Sequence, residues 1–136
     1  MKRNLLFVYQ WMTALSDTGT GVLLYLVPEF TLRLMGTSAP ADAMPYVGYV
    51  GAFVLAVGIV CFYGLLMMSR DSSSVSLETV WLVTAIVRGT IAIYVLKSML
   101  TGELQYAWCS VAAFDGACAA IQAVGLRKGW LRYARA

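Results

Sequence analysis

Three ionisable residues, Asp17, Arg88 and Asp115, each stand near the centre of an otherwise apolar stretch of this 136-residue chain. A charge at the middle of a bilayer costs several kcal/mol unless it finds a partner, so residues placed this way turn inward and pair. A guanidinium offers five donors in a fixed fork and can serve two carboxylates at once, which an ammonium does less well. The expectation is a buried cluster of Asp17, Arg88 and Asp115. With both aspartates ionised the cluster carries one net negative charge, which calls for a shared proton or an additional donor. Polar neighbours extend it: Gln10, Thr13, Asp17 and Thr20 recur at helical spacing, as do Asp115, Cys118 and Gln122, and Thr84 lies one turn from Arg88. Gln10 and Gln122 each stand seven residues from their aspartate, toward the chain terminus nearer to each. The two glutamines are therefore expected to face each other one layer away from the charges.

Such a cluster has three readings. It can receive the polar head of a small lipophilic molecule, with Asp17, Arg88, Asp115, Gln10, Gln122, Thr13 and Thr84 as ligand-binding residues. It can serve only to fix helix register in an accessory subunit of a larger membrane complex or a homo-oligomer. It can also carry protons in coupled transport. The first accounts best for polar side chains beyond the minimum that one ion pair needs.

The elements that must hold these residues follow from composition. Hydrophobic residues make up 60% of the chain and charged residues 12%, about half the charged share of a typical soluble domain. Four stretches, about 5–27, 46–68, 79–100 and 106–126, exceed the roughly 20 helical residues that cross a hydrocarbon core. Backbone polar groups in lipid must be satisfied within the segment, and no strand alternation appears, so the spans are expected to be helices. The predicted fold is all-α: one integral membrane four-helix bundle, residues 1–136, immersed in the lipid bilayer. Counted from the ends of the spans at about 1.5 Å per residue, Asp17 lies roughly 18 Å deep, Arg88 roughly 14 Å and Asp115 roughly 17 Å. All three reach one level.

Charge sets the expected orientation. Lys2, Arg3, Arg70, Arg127, Lys128, Arg132 and Arg135 flank one side of the spans, against Arg33 and Lys97 on the other. Positive residues favour the cytoplasmic side, which places both termini there. The same residues account for the net charge of +3 without nucleic acid, and the basic tail with Trp130 and Tyr133 suits anionic headgroups. Tyr25, Tyr46, Tyr49, Tyr106 and Trp108 are expected near the outer interface, Trp81 and Trp130 near the inner one. After the first span, Pro28 at a helix start, Glu29 and Arg33 four apart, and Gly36 as a stop predict a short interfacial helix with Phe30, Leu34 and Met35 facing lipid. The 69–78 segment reads as a polar turn in which Ser76 caps the third span and Glu78 occupies its first turn. The basic, apolar start could pass for a secretory signal, but Asp17 interrupts its core and no clear small-residue cleavage site follows.

Several chemistries are disfavoured. With no histidine, the usual haem ligand, the usual general base and most zinc sites are missing. Asp17-Thr18-Gly19 spells the tripeptide of aspartic proteases, but it falls within a predicted helix, and Arg88 at the second aspartate would remove the shared proton that such a dyad requires. Gly19-Thr20-Gly21 has no preceding strand and is no nucleotide loop; it is expected to loosen the first helix beside Asp17. Either aspartate could act as a buried acid, but no cofactor motif accompanies them, so no cofactor is assigned and a non-enzymatic role is favoured. Cys61, Cys109 and Cys118 are read as reduced packing residues, with Cys118 the one placed beside the charges. Small-residue ladders at Gly48, Ala52 and Ala56, and at Ala112, Gly116 and Ala120, are expected to set helix contacts.

The first span ending at Pro28 with a short helix to Gly36, the glycines Gly48, Gly51 and Gly58, the Ala85-Ile86-Val87-Arg88 centre and the stretch from Asp115 to Gln122 together resemble the DoxX-like small bacterial membrane proteins. The likeness covers most of the chain and carries no catalytic motif. It implies a multi-pass protein of a bacterial inner membrane. It also brings two ligand classes into view: a quinone, since some such proteins are thought to partner quinone-linked oxidoreductases in redox complexes, and a sterol-like molecule held around buried acids.

Overall fold

A computed structural model describes residues 3–70 and 74–133, and every described element is helical. In chain order these are α1 (Arg3–Leu26), α2 (Pro28–Leu34), α3 (Met44–Ser69), α4 (Ser74–Leu100), α5 (Cys109–Arg127) and α6 (Trp130–Tyr133), with single 3-10 turns at Ala41–Ala43 and Tyr106–Trp108. Among the described residues three helical stretches are long and apolar enough to cross a membrane, Ala41–Ser69, Val75–Leu100 and Tyr106–Arg127. The 24 residues of α1 would extend about 36 Å at 1.5 Å each, but Gln10, Thr13, Asp17, Thr18 and Thr20 lower its apolar character.

The chain forms two compact units, Leu6–Leu66 and a second comprising Met67–Ala136 with the first five residues. In the first, α1 and α3 run antiparallel with their backbones nearly touching. A Cβ added at Gly51 would lie 2.5 Å from the Tyr25 nitrogen, and one at Gly58 would lie 2.6 Å from the Thr18 nitrogen. Gly21 fills the same role on α1, opposite Leu55. The closest approach on α3 is thus at Gly51 and Gly58, both buried; of the expected Gly48, Ala52 and Ala56 ladder, Gly48 also lies against α1, a Cβ there 3.9 Å from Tyr25 O, while Ala56 is exposed. Nor does Gly19-Thr20-Gly21 loosen α1. The helix runs unbroken through it, and Gly21 is spent on close packing.

The short helix forms as its signals predict, with Pro28 in its first turn. Gly36 adopts φ 74°, its N–H bonds Arg33 O and that of Thr37 bonds Leu32 O, each at 3.0 Å. Those two bonds satisfy carbonyls that the helix end would otherwise strand. Phe30 and Leu34 are exposed while Thr31 and Leu32 are buried.

In the second unit α4 and α5 pack antiparallel along their length, and α6 folds back on both. Helix α4 begins at Ser74, so Ser76 lies inside it instead of at the cap position, and Glu78 lies past its first turn; residues 71–73 fall outside the described part. Trp81 corrects a second expectation, for it is 0% exposed and is a core residue. Gly125 makes the slot: a Cβ there would lie 2.6 Å from the Trp81 ring and 2.9 Å from that of Trp130. At the other end of this hairpin Glu103 N–H and Leu104 N–H both bond Ser98 O, and Ser98 Oγ donates to Glu103 Oε2 at 3.0 Å. Arg132, Tyr133 and Arg135, named for the basic tail, have side chains outside the described part, as does Arg3.

Candidate functional site

The α4–α5 seam carries two polar layers. In one, Arg88 Nη1 donates to Asp115 Oδ1 at 2.8 Å. The guanidinium also lies 5.4 Å from the Phe114 ring centroid, within range of a cation–π attraction. An aspartate side chain is short, so this bond needs close helices. Small residues provide that: Gly116 faces Ala92 and Gly89 faces Ala119, a Cβ at either glycine lying 3.7 to 3.8 Å from the opposing methyl. Gly116 of the expected second ladder is therefore in the contact, while Ala120 is exposed.

The second layer lies one turn along α4. Gln122 Nε2 donates to Thr84 Oγ1 at 2.9 Å, and Thr84 Oγ1 donates to Val80 O at 2.8 Å. Both residues are buried, and Cys118, also buried, occupies the intervening turn of α5. The two layers differ in access. The Arg88 side chain is 1% exposed and that of Asp115 15%, so the carboxylate keeps a face open beyond the bond it makes.

In the unit of residues 6–66 the polar stripe of α1 converges on one residue of α3. Gln10 Nε2 donates to Cys61 O at 2.8 Å, and Cys61 Sγ donates to Asp17 Oδ2 at 3.8 Å, a weak bond of a thiol to a carboxylate. Thr13 Oγ1 donates to Gln10 O at 3.1 Å. Gln10, Thr13 and Asp17 are buried as expected, whereas Thr20 is exposed, and Gly21 and Leu24 continue the inward stripe. Cys61 thus meets an aspartate, a place that the sequence suggests for Cys118. A signal was present. Cys61 stands three residues beyond Gly58, on the face that Gly51, Gly58, Leu65 and Met68 bury.

The structure thus brings Arg88 to Asp115 and Thr84 to Gln122 in one unit, and Gln10, Thr13 and Asp17 to one stripe in the other. Among the described residues no three of His, Cys, Asp or Glu gather closely enough to hold a metal ion. The α4–α5 seam thus holds a buried cation, a partly open carboxylate and a buried amide, in surroundings where water competes poorly. No family model, curated protein or solved structure matches the chain.

Proposed function

We propose that this chain is a small multi-pass membrane protein that receives the polar head of a lipophilic molecule at the Arg88–Asp115 pair. One observation carries the reading: in a helix apolar enough to cross a membrane, Asp115 anchors a buried guanidinium through one oxygen while its side chain stays 15% exposed. A pair that only locks α4 to α5 is best closed on both partners, because each remaining polar atom in lipid needs a donor or acceptor. An amphiphile that buries its tail along the helices and sets its head on this carboxylate would satisfy it. A quinone head is one member of the class. The proposal includes a fourth span through α1, cytoplasmic termini, a bacterial inner membrane and kinship with the DoxX-like proteins; the 24-residue length of α1 supports the span, and the seven basic flanking residues support the placing of the termini.

A second reading has its own support. Ile93, Tyr94 and Leu96 on α4 are exposed by half or more, a surface that lipid or a helix of a larger complex can cover. In that accessory-subunit reading the ion pair is structural. Mass spectrometry of protein purified from its native membrane in mild detergent separates the two. The binding reading predicts a lipophile held by the native chain and missing from a folded Arg88→Met/Asp115→Asn variant. Equal retention by both contradicts it, and a stoichiometric protein partner without a lipophile favours the subunit. Proton flux in reconstituted vesicles that depends on Asp115 would instead support coupled transport.

A further inference from the structure

Gln122 is 1% exposed, and its amide is oriented by a bond with only one workable direction. A threonine hydroxyl has a single proton. That of Thr84 is directed to the α4 carbonyl of Val80 at 2.8 Å, so Thr84 Oγ1 can only accept from Gln122, which must present Nε2 to it, as the 2.9 Å contact has it. The amide oxygen then points away from Thr84. Among the described residues no donor reaches Gln122 Oε1, although the atom is fully buried. Buried carbonyl oxygens are ordinarily hydrogen-bonded, and one left over asks for a donor from outside the chain.

We propose that Gln122 Oε1 is the acceptor for a hydroxyl on the bound lipophile, so that the favoured ligand class is a lipophilic alcohol or phenol. The inference rests on the reading of the α4–α5 seam as a head-group site. It makes that reading chemically selective. A head that carries only carbonyl or ether oxygens presents acceptors, which Arg88 can serve and Gln122 Oε1 cannot use. A hydroxyl donates, and its own oxygen stays available to accept. A hydroxylated head, including the reduced form of a quinone, is thereby preferred over its oxidised or methylated counterpart.

The test uses the full chain in detergent and a matched pair of probes, 4-decylphenol and its methyl ether 4-decylanisole, which share tail and ring but differ in the donor. A single buried hydrogen bond predicts about tenfold tighter binding of the phenol, and Gln122→Met, of similar volume, should bring the phenol down to the ether while leaving the ether unchanged. Equal binding of the two probes to the native chain overturns the donor assignment but leaves the head-group site standing, as it would if a water occupied Oε1. A phenol preference that survives in a Gln122→Met chain of native thermal stability overturns the role of Gln122. Failure of both probes to bind overturns the head-group reading itself and this inference with it. If Gln122→Met does not fold, Gln122→Leu, which also removes the acceptor, takes its place, and survival of the phenol preference in that folded variant overturns the assignment.

Discussion

Arg88 meets Asp115 across 27 residues of sequence, Nη1 to Oδ1 at 2.8 Å, and that bond ties the centre of α4 to the centre of α5. Removing the cation alone leaves Asp115, whose side chain is 15% exposed, without its counter-charge. Arg88→Ala is expected to cost about 3 to 5 kcal/mol, read as a lower midpoint in thermal or detergent denaturation. Arg88→Met with Asp115→Asn removes both charges of this bond and should recover part of that loss. A double variant no more stable than Arg88→Ala would show that the polar pair itself specifies the packing.

The close approach of α1 and α3 predicts a contrast between glycines. Gly58→Ala drives a methyl into the backbone of Thr18, an overpacking that typically costs about 1 to 3 kcal/mol. Gly19→Ala meets nothing within 4 Å and should be neutral or stabilising by up to about 1 kcal/mol, since a helical glycine gives up chain entropy. Equal effects of the two substitutions in a denaturation series would place the α1–α3 contact elsewhere.

These residues also mark how far the sequence could be read. Helix positions, the stop at Gly36 and the Arg88–Asp115 pair were legible, because lengths, turn chemistry and the cost of a charge in lipid act locally or through simple depth. The contact face of α3 was not. A helix apolar on every side gives no periodic signal for which stripe packs, so the Gly48 ladder and the Gly51–Gly58 stripe were equivalent until the partner helix was in place. Trp81 misled for a related reason: an amphipathic ring suits an interface, and only the missing side chain of Gly125, 44 positions along, makes room for it inside. Cys61 looks like any small apolar residue, and its thiol and carbonyl acquire meaning only from Asp17 and Gln10 opposite.

The three cysteines should differ in reactivity. None is in a disulfide; Cys61 and Cys118 are buried and Cys109 is exposed. A polar maleimide added to the folded protein is expected to modify one thiol quickly, and all three after denaturation, with peptide mapping assigning the fast site to Cys109. Fast labelling of Cys61 would contradict its position between Gln10 and Asp17.

Orientation has a direct check. Basic residues flanking the spans predict cytoplasmic termini, so a reporter fused after Ala136 should be active only as a cytoplasmic protein. Ser38, exposed beyond the short helix, should accept an impermeant thiol reagent from outside the cell once replaced by cysteine. An external C-terminal reporter would overturn the proposed fourth span.

The head-group site is tested most directly by mapping where a lipophile rests. A decylphenol bearing a diazirine on its ring, photolysed with the full chain in lipid nanodiscs, is predicted to label α4 near Arg88 and α5 between Asp115 and Gln122, and to lose that labelling in a folded Arg88→Met/Asp115→Asn chain. Labelling spread over outward residues such as Ile93, Tyr94 and Leu100, and unchanged by the double substitution, would contradict the account.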